Sequence, residues 1–200
     1  MADSLFDTLQ RDAYRAGVQA RTDDARDWFR GKVKELGNVN RQKLLKDPAL
    51  TQLSARRPLI GQMYMYFYDP KHRETLPFYD AFPLILMVGP AKGGFYGLNL
   101  HYLSPVVRAK FLDKLSETLN NKKYDETTRY RLSYQLLNGV KKYREFGPCF
   151  KHYLTNHVDS KIVRVEPSEW EIAIWLPTEQ FRGKNKSHVW GNSRKQFGGN

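Results

Sequence analysis

Five histidines, 21 aspartates and glutamates and one cysteine are the side chains of this 200-residue chain suited to hold a metal or attack a substrate. The histidines are His72, His101, His152, His157 and His188, and no set of them has the spacing of a metal-ligand motif. His152 and His157 stand five apart, which on a helix turns them to different sides. His101 shares one face of a strand-like run with Asn99, where a buried, hydrogen-bonded imidazole is the simpler role. Metal-dependent phosphodiester cleavage needs clustered carboxylates. Asp69, Glu74 and Asp80 fall in one loop region and Glu166, Glu169 and Glu171 cluster late, but neither set comes with a spaced lysine or histidine signature. Asp69-Pro70 and Asp80 read more simply as turn formers. Cys149 has no His or Asn partner arguable from position, and a single cysteine excludes an intrachain disulfide and a multi-thiolate metal site. The glycine-rich stretch Gly89 to Gly97 (GPAKGGFYG) lacks the Gly-Lys-Ser/Thr ending of a phosphate loop and leads into a strand instead of a helix. No catalytic residue, metal ligand or cofactor follows from these residues.

Binding chemistry is better represented. The net charge is +12, and it is unevenly spread. Residues 105–157 carry 11 basic and 5 acidic groups, residues 158–180 carry 2 and 5, and residues 181–200 carry 5 and none. Basic surface of this extent suits a polyanion such as nucleic acid, or an acidic protein neighbour in an assembly. Aromatics interleave with bases between Tyr124 and Arg144, where Arg129, Arg131, Lys141, Lys142 and Arg144 alternate with Tyr130, Tyr134 and Tyr143. Base-stacking surfaces use that mixture, although tyrosines at a core edge beside solvated lysines give the same pattern. The last segment adds Arg182, Lys184, Lys186, Arg194 and Lys195, with Trp190 as a candidate protein anchor.

The elements that must position these side chains read as α+β. Residues 1–37 predict two amphipathic helices, the first carrying Leu5, Phe6 and Leu9 and the second Phe29, Val33 and Leu36. Such narrow stripes suggest an N-terminal extension that contacts a neighbouring subunit. Residues 38–58 read as a basic linker, and 59–180 as the core domain. Within the core, Ile60 to Tyr68, Phe82 to Val88, Phe95 to Leu103 and Ile162 to Val165 predict strands. The turn before the third strand calls for a positive φ at Gly93 or Gly94. Ser104-Pro105 opens a helix reaching 119, a second helix spans 126–138, and a shorter one runs from Pro148 to His157. Together these imply a small, strongly bent antiparallel sheet, open or barrel-like, with a helical insertion. Residues 181–200 predict an extended basic arm, because their aromatics are too far apart to form a core. No apolar run approaches the roughly 20 residues of a membrane span. The opening MADSLFDTLQRD lacks an apolar secretory core, so no secretory signal is expected, and with its single cysteine the chain is expected in a reducing cytoplasm.

The stretch MYFYDPKHRETLPFYDAFPLILMVGPAKGGFYGLNLHYLSPVVRAKFLDKL, with the later VEPSEWEIAIWLPTEQF, resembles virion proteins of large contractile-tailed bacteriophages, those of the DNA end protector type among them. The resemblance implies a non-enzymatic structural subunit at the neck, tail or baseplate of a virion, made in the host cytoplasm, whose partners are other virion proteins and double-stranded DNA. It supplies no catalytic residues. The rival readings are a small DNA-processing nuclease and a free nucleic-acid-binding protein.

Overall fold

The structure, a computed structural model, describes residues 4–19, 22–48, 50–52, 59–119, 135, 139 and 144–197. Its centre is a sheet of β1 (Thr51–Gln52), β2 (Met63–Met65), β4 (Leu84–Ala91), β5 (Gly94–Asn99), β6 (Phe150–Leu154) and β7 (Val163–Val165), in the order β1-β7-β2-β4-β5-β6. Every pairing is antiparallel. The order ends at β1 and β6 without joining them, so the sheet is open and not a closed barrel. A separate ribbon pairs β3 (Tyr79–Asp80) with β8 (Phe181–Arg182).

The central strands are buried on both faces, as their lack of polar alternation foretells. Met63, Met65, Leu84, Leu86 and Leu98 face the helical side. Tyr64, Tyr66, Tyr68, Ile85, Met87, Phe95 and Tyr153 form a second cluster on the other. Each such side chain removed from water contributes about 1.5–3 kcal/mol. The β4–β5 turn needs its glycines for two reasons. Gly93 has φ of 72°, and a Cβ on Gly94 would stand 1.8 Å from the Tyr153 carbonyl oxygen across the sheet.

The helical side is built from both ends of the chain. α1 (Leu5–Arg15) buries Phe6, Leu9 and Ala13, and α2 (Asp23–Leu36) buries Ala25 and Phe29. Ser4 caps α1 and itself donates to Asp47 Oδ1 at 2.5 Å, while Thr22 caps α2. The apolar stripes of these helices lie in the same cluster as the sheet, a layer of the protein's own core where the sequence suggests an extension toward a neighbour. Between them and the sheet, α3 (Arg41–Leu44) sits in the stretch that reads as a linker, where Leu44, Leu45 and Leu50 are buried. α4 (Pro105–Leu119) follows the Ser104-Pro105 signal, and α5 (Trp170–Trp175) packs against it with Ile172, Ala173 and Ile174 buried. An Arg26–Asp113 ion pair ties α2 to α4.

Three further sequence expectations change. The segment from Pro148 to His157 is a short 3-10 turn, then strand β6, then another turn, because the open edge of β5 offers it a full ladder from Gly94↔Leu154 to Leu98↔Phe150. The third strand ends at Asn99, whose side chain accepts from the His101 amide and starts a 3-10 turn over Leu100–Tyr102. The extended C-terminal arm is instead β8 followed by helix α6 (Lys186–Phe197). Asn185 accepts from the His188 amide at its start, and Val189 and Ser193 are buried one turn apart. The apolar surface that the arm lacks alone is supplied by the turn Leu100–Tyr102, to which Trp190 and Ser193 donate. The helix expected at 126–138 lies outside the described residues.

Candidate nucleic-acid interface

A buried polar hub fixes where the exposed cations stand. Asp80, in β3, is fully enclosed and accepts four hydrogen bonds: from the Phe82 and Gln180 amides on Oδ1, and from Asn99 Nδ2 and His101 Nδ1 on Oδ2. Burial alone would raise this carboxyl, but His101 and the Gln180 and Asn99 donors outweigh it and hold Asp80 below its ordinary value. The other imidazole nitrogen of His101 lies 3.1 Å from Thr178 Oγ1. An Asp–His–Thr line of this kind has the form of a hydrolytic triad. His101 and Thr178 are both 0% exposed, so no substrate reaches the hydroxyl.

Arg108, projecting from α4, closes the hub from beneath. It is 0% exposed and donates to the carbonyls of Leu100, Leu103, His101 and Ile174. Burial pulls its pKa down, and Glu179, 3.7 Å away, opposes that. Glu179 is pushed up by burial but drawn further down by Arg108, His101 and Lys186, and so lies below its ordinary value. The sequence signal for Arg108 is its place in the helical stripe: it stands four and seven residues before Leu112 and Leu115, a charge at a core position.

This hub anchors one exposed edge. β3 and β8 pair Tyr79 with Arg182, and the loop leaving β8 returns against the loop entering β3. Gly183 has φ of 84°, and a Cβ there would meet the Pro77 carbonyl at 2.6 Å. The Phe78 and His188 rings stand 6.4 Å apart. The end of loop 70–77 therefore meets the segment 182–188, and Lys71, His72 and Arg73 of the loop, with Arg182, Lys184, Lys186 and His188 of the segment, are all exposed along this rim. Arg73 pairs with Asp69 at 2.9 Å and Lys186 with Glu179 at 3.4 Å, and Glu74 is an exposed acid of the same loop. Lys71, Arg182 and Lys184 carry the uncompensated charge. At its far end the loop meets the 3-10 turn that follows β6: the Asp69 amide donates to the His157 carbonyl, and His157 Nδ1 donates to the Asp69 carbonyl, while the Thr155 amide of that turn donates to Gly93 in the β4–β5 turn.

The residues singled out from sequence divide accordingly. Arg182, Lys184 and Lys186 lie on this rim. Trp190 is drawn into its own subunit: its indole donates to the His101 carbonyl at 2.9 Å, with Arg108 and Lys186 each 5.7 Å from its ring centre. Arg194 and Lys195 belong to α6, and Arg144 begins a 3-10 turn. Arg129, Arg131, Lys141 and Lys142 lie outside the described residues. The rim residues Lys71 and Arg73 are not singled out by sequence, because the local balance with Asp69 and Glu74 masks them. Lys151 stands apart from the rim, its ammonium 4.4 Å from the Tyr102 ring centre and its pKa lowered by burial. Among the described residues no cluster of His, Cys, Asp and Glu suits a metal ion, and no helix is long and apolar enough to cross a membrane.

A mixed helix-and-sheet protein with a cationic rim carries the electrostatic footprint of proteins that meet nucleic acid. The chain belongs to the phage T4 terminal DNA protecting protein family, whose model matches residues 3–195. No curated protein and no solved structure matches it.

Proposed function

We propose that this protein binds the ends of linear double-stranded phage DNA and shields them from exonucleases without cleaving them. The observation that carries this reading is the family match across residues 3–195, which spans the rim as well as the core. The exposed cations of the 70–77 and 182–188 segments support it, since phosphate contacts supply most of the sequence-independent affinity for DNA. So does the sealed Asp80–His101–Thr178 line, which leaves this triad-like cluster without access to substrate. The protein travels in the virion beside the packaged genome end, near the neck or tail and among other virion proteins.

Exonuclease protection tests the reading. Linear duplex DNA incubated with the full chain keeps its length under a processive double-strand exonuclease, whereas DNA alone is degraded. Identical decay curves with and without protein would overturn end protection. Shortening of DNA by the protein itself, in magnesium or manganese, would instead support a nuclease.

A further inference from the structure

At the far end of the rim, Lys71, Gly93, Leu154, Thr155, Asn156 and His157 line an open depression of about 680 Å³. Its wall is held on three sides. The Thr155 amide donates to the Gly93 carbonyl, His157 Nδ1 donates to the Asp69 carbonyl, and the Leu154 amide donates to the Tyr68 hydroxyl. Lys71 and Asn156 are exposed, and the Lys71 ammonium has no ion-pair partner among the described residues. No acidic side chain lines the depression. Gly93, at positive φ, leaves the wall bare backbone at that point.

We infer that this depression is a subsite for the terminal phosphomonoester of a DNA end, an inference that rests on the end-binding reading above. Its volume falls within the roughly 300–1,000 Å³ of sites that take one small molecule, the size of a single end nucleotide. The Lys71 ammonium offers the charged donor and the Asn156 amide a second N–H donor that a phosphate dianion takes up. An internal phosphodiester carries one charge and is flanked by sugar on both sides, so it fits a track better than a recess. Leu154 and Gly93 give the apolar and bare-backbone wall against which the end nucleotide lies.

The test is anisotropy titration of the full chain with duplexes closed by a hairpin at one end. The other end carries a 5′-phosphate, a 3′-phosphate or only hydroxyls, and a dumbbell closed at both ends is the control. One phosphorylated end should bind about ten-fold more tightly than the hydroxyl end, the value of one charge-assisted hydrogen bond. Which phosphate gains shows which terminus enters. Lys71→Gln and Asn156→Asp should each reduce that preference with the melting temperature unchanged, since both side chains are exposed. Equal binding of phosphorylated and hydroxyl ends, both tighter than the dumbbell, would overturn the subsite and leave end binding standing. A preference untouched by both substitutions would also overturn it. Equal binding of open and closed duplexes would overturn end recognition and the subsite together.

Discussion

Asp80 Oδ2 and His101 Nδ1 stand 2.7 Å apart with neither side chain more than 1% exposed, and this pair joins the sheet to the C-terminal third of the chain. Asp80 also accepts from the Gln180 amide, and the His101 carbonyl accepts from Trp190 and Arg108. The rim on β3, β8 and α6 keeps its place because this pair is intact.

Replacing Asp80 by Asn should therefore cost about 3 kcal/mol or more, since it leaves a buried partner uncompensated. The folded carboxyl is held below its ordinary value of 3.8. Its stabilisation is thus complete above that value and fades as pH falls through the lower folded pKa. Urea titrations of wild type between pH 5 and 2 should show stability dropping with acid, and Asp80→Asn should flatten part of that slope. An unchanged slope would mean that other carboxylates account for the acid sensitivity.

Arg108→Met should destabilise strongly, because four carbonyls lose a donor, two of them keeping another from Leu103 or Trp190, and Glu179 loses its buried cation. A loss of about 3–5 kcal/mol is the scale for breaking a buried ionic arrangement on one side. Arg108→Met together with Glu179→Gln should recover part of it, which thermal melts of the two variants measure. Equal melting temperatures for single and double variants would show that the hydrogen bonds to the carbonyls, and not the ion pair, carry the effect.

Tyr66 gives the opposite expectation. Its ring packs edge-on against Tyr68, Phe95 and Tyr153, but its hydroxyl is buried with no hydrogen-bond partner among the described residues. Burial pushes the phenol well above its usual range, as a group without compensating donors requires. Tyr66→Phe should be neutral or stabilise by up to about 1–2 kcal/mol, because it removes the cost of an unsatisfied polar atom. A clear loss in chemical denaturation would reveal a partner for the hydroxyl.

The same contrast explains what could be read from the chain beforehand. Met63 to Tyr66 and Phe82 to Val88 are apolar on both faces, so burial follows from composition alone, although the expected strand from Ile60 to Tyr68 shrinks to Met63–Met65 and leaves Ile60 exposed; Ser104-Pro105 marks α4 by local chemistry. α6 is concealed because its few apolar residues suggest an extended arm until the Leu100–Tyr102 turn is seen beneath Val189 and Ser193. Asp80 looks like a turn residue because its Phe82 bond is local, while its bonds to Asn99, His101 and Gln180 come from 19 to 100 residues away. β6 is decided by a neighbour in the same way: Phe150 to Leu154 is ambiguous alone and extended beside β5. The rim is a product of such pairings, since Lys71 and Arg182 belong to one rim only through β3 and β8.

The rim itself makes the last prediction. Arg182 and Lys184 are exposed, lie beyond the buried hub and have no salt-bridge partner among the described residues. Arg182→Gln with Lys184→Gln should leave the melting temperature within the small range of surface substitutions, about 0.5 kcal/mol either way. If these cations touch phosphates, binding to duplex DNA should weaken alike for all sequences. The slope of log K against log salt should become shallower by up to about 0.9 for each phosphate no longer neutralised. Trp190→Ala serves as the contrast: it removes a hydrogen bond and a partly buried ring from the hub, so its damage should show first as a lower melting temperature. A double glutamine variant with the wild-type salt slope would place the DNA on another face. If Trp190→Ala instead kept full stability and lost association with other virion proteins, the indole would be a partner anchor after all.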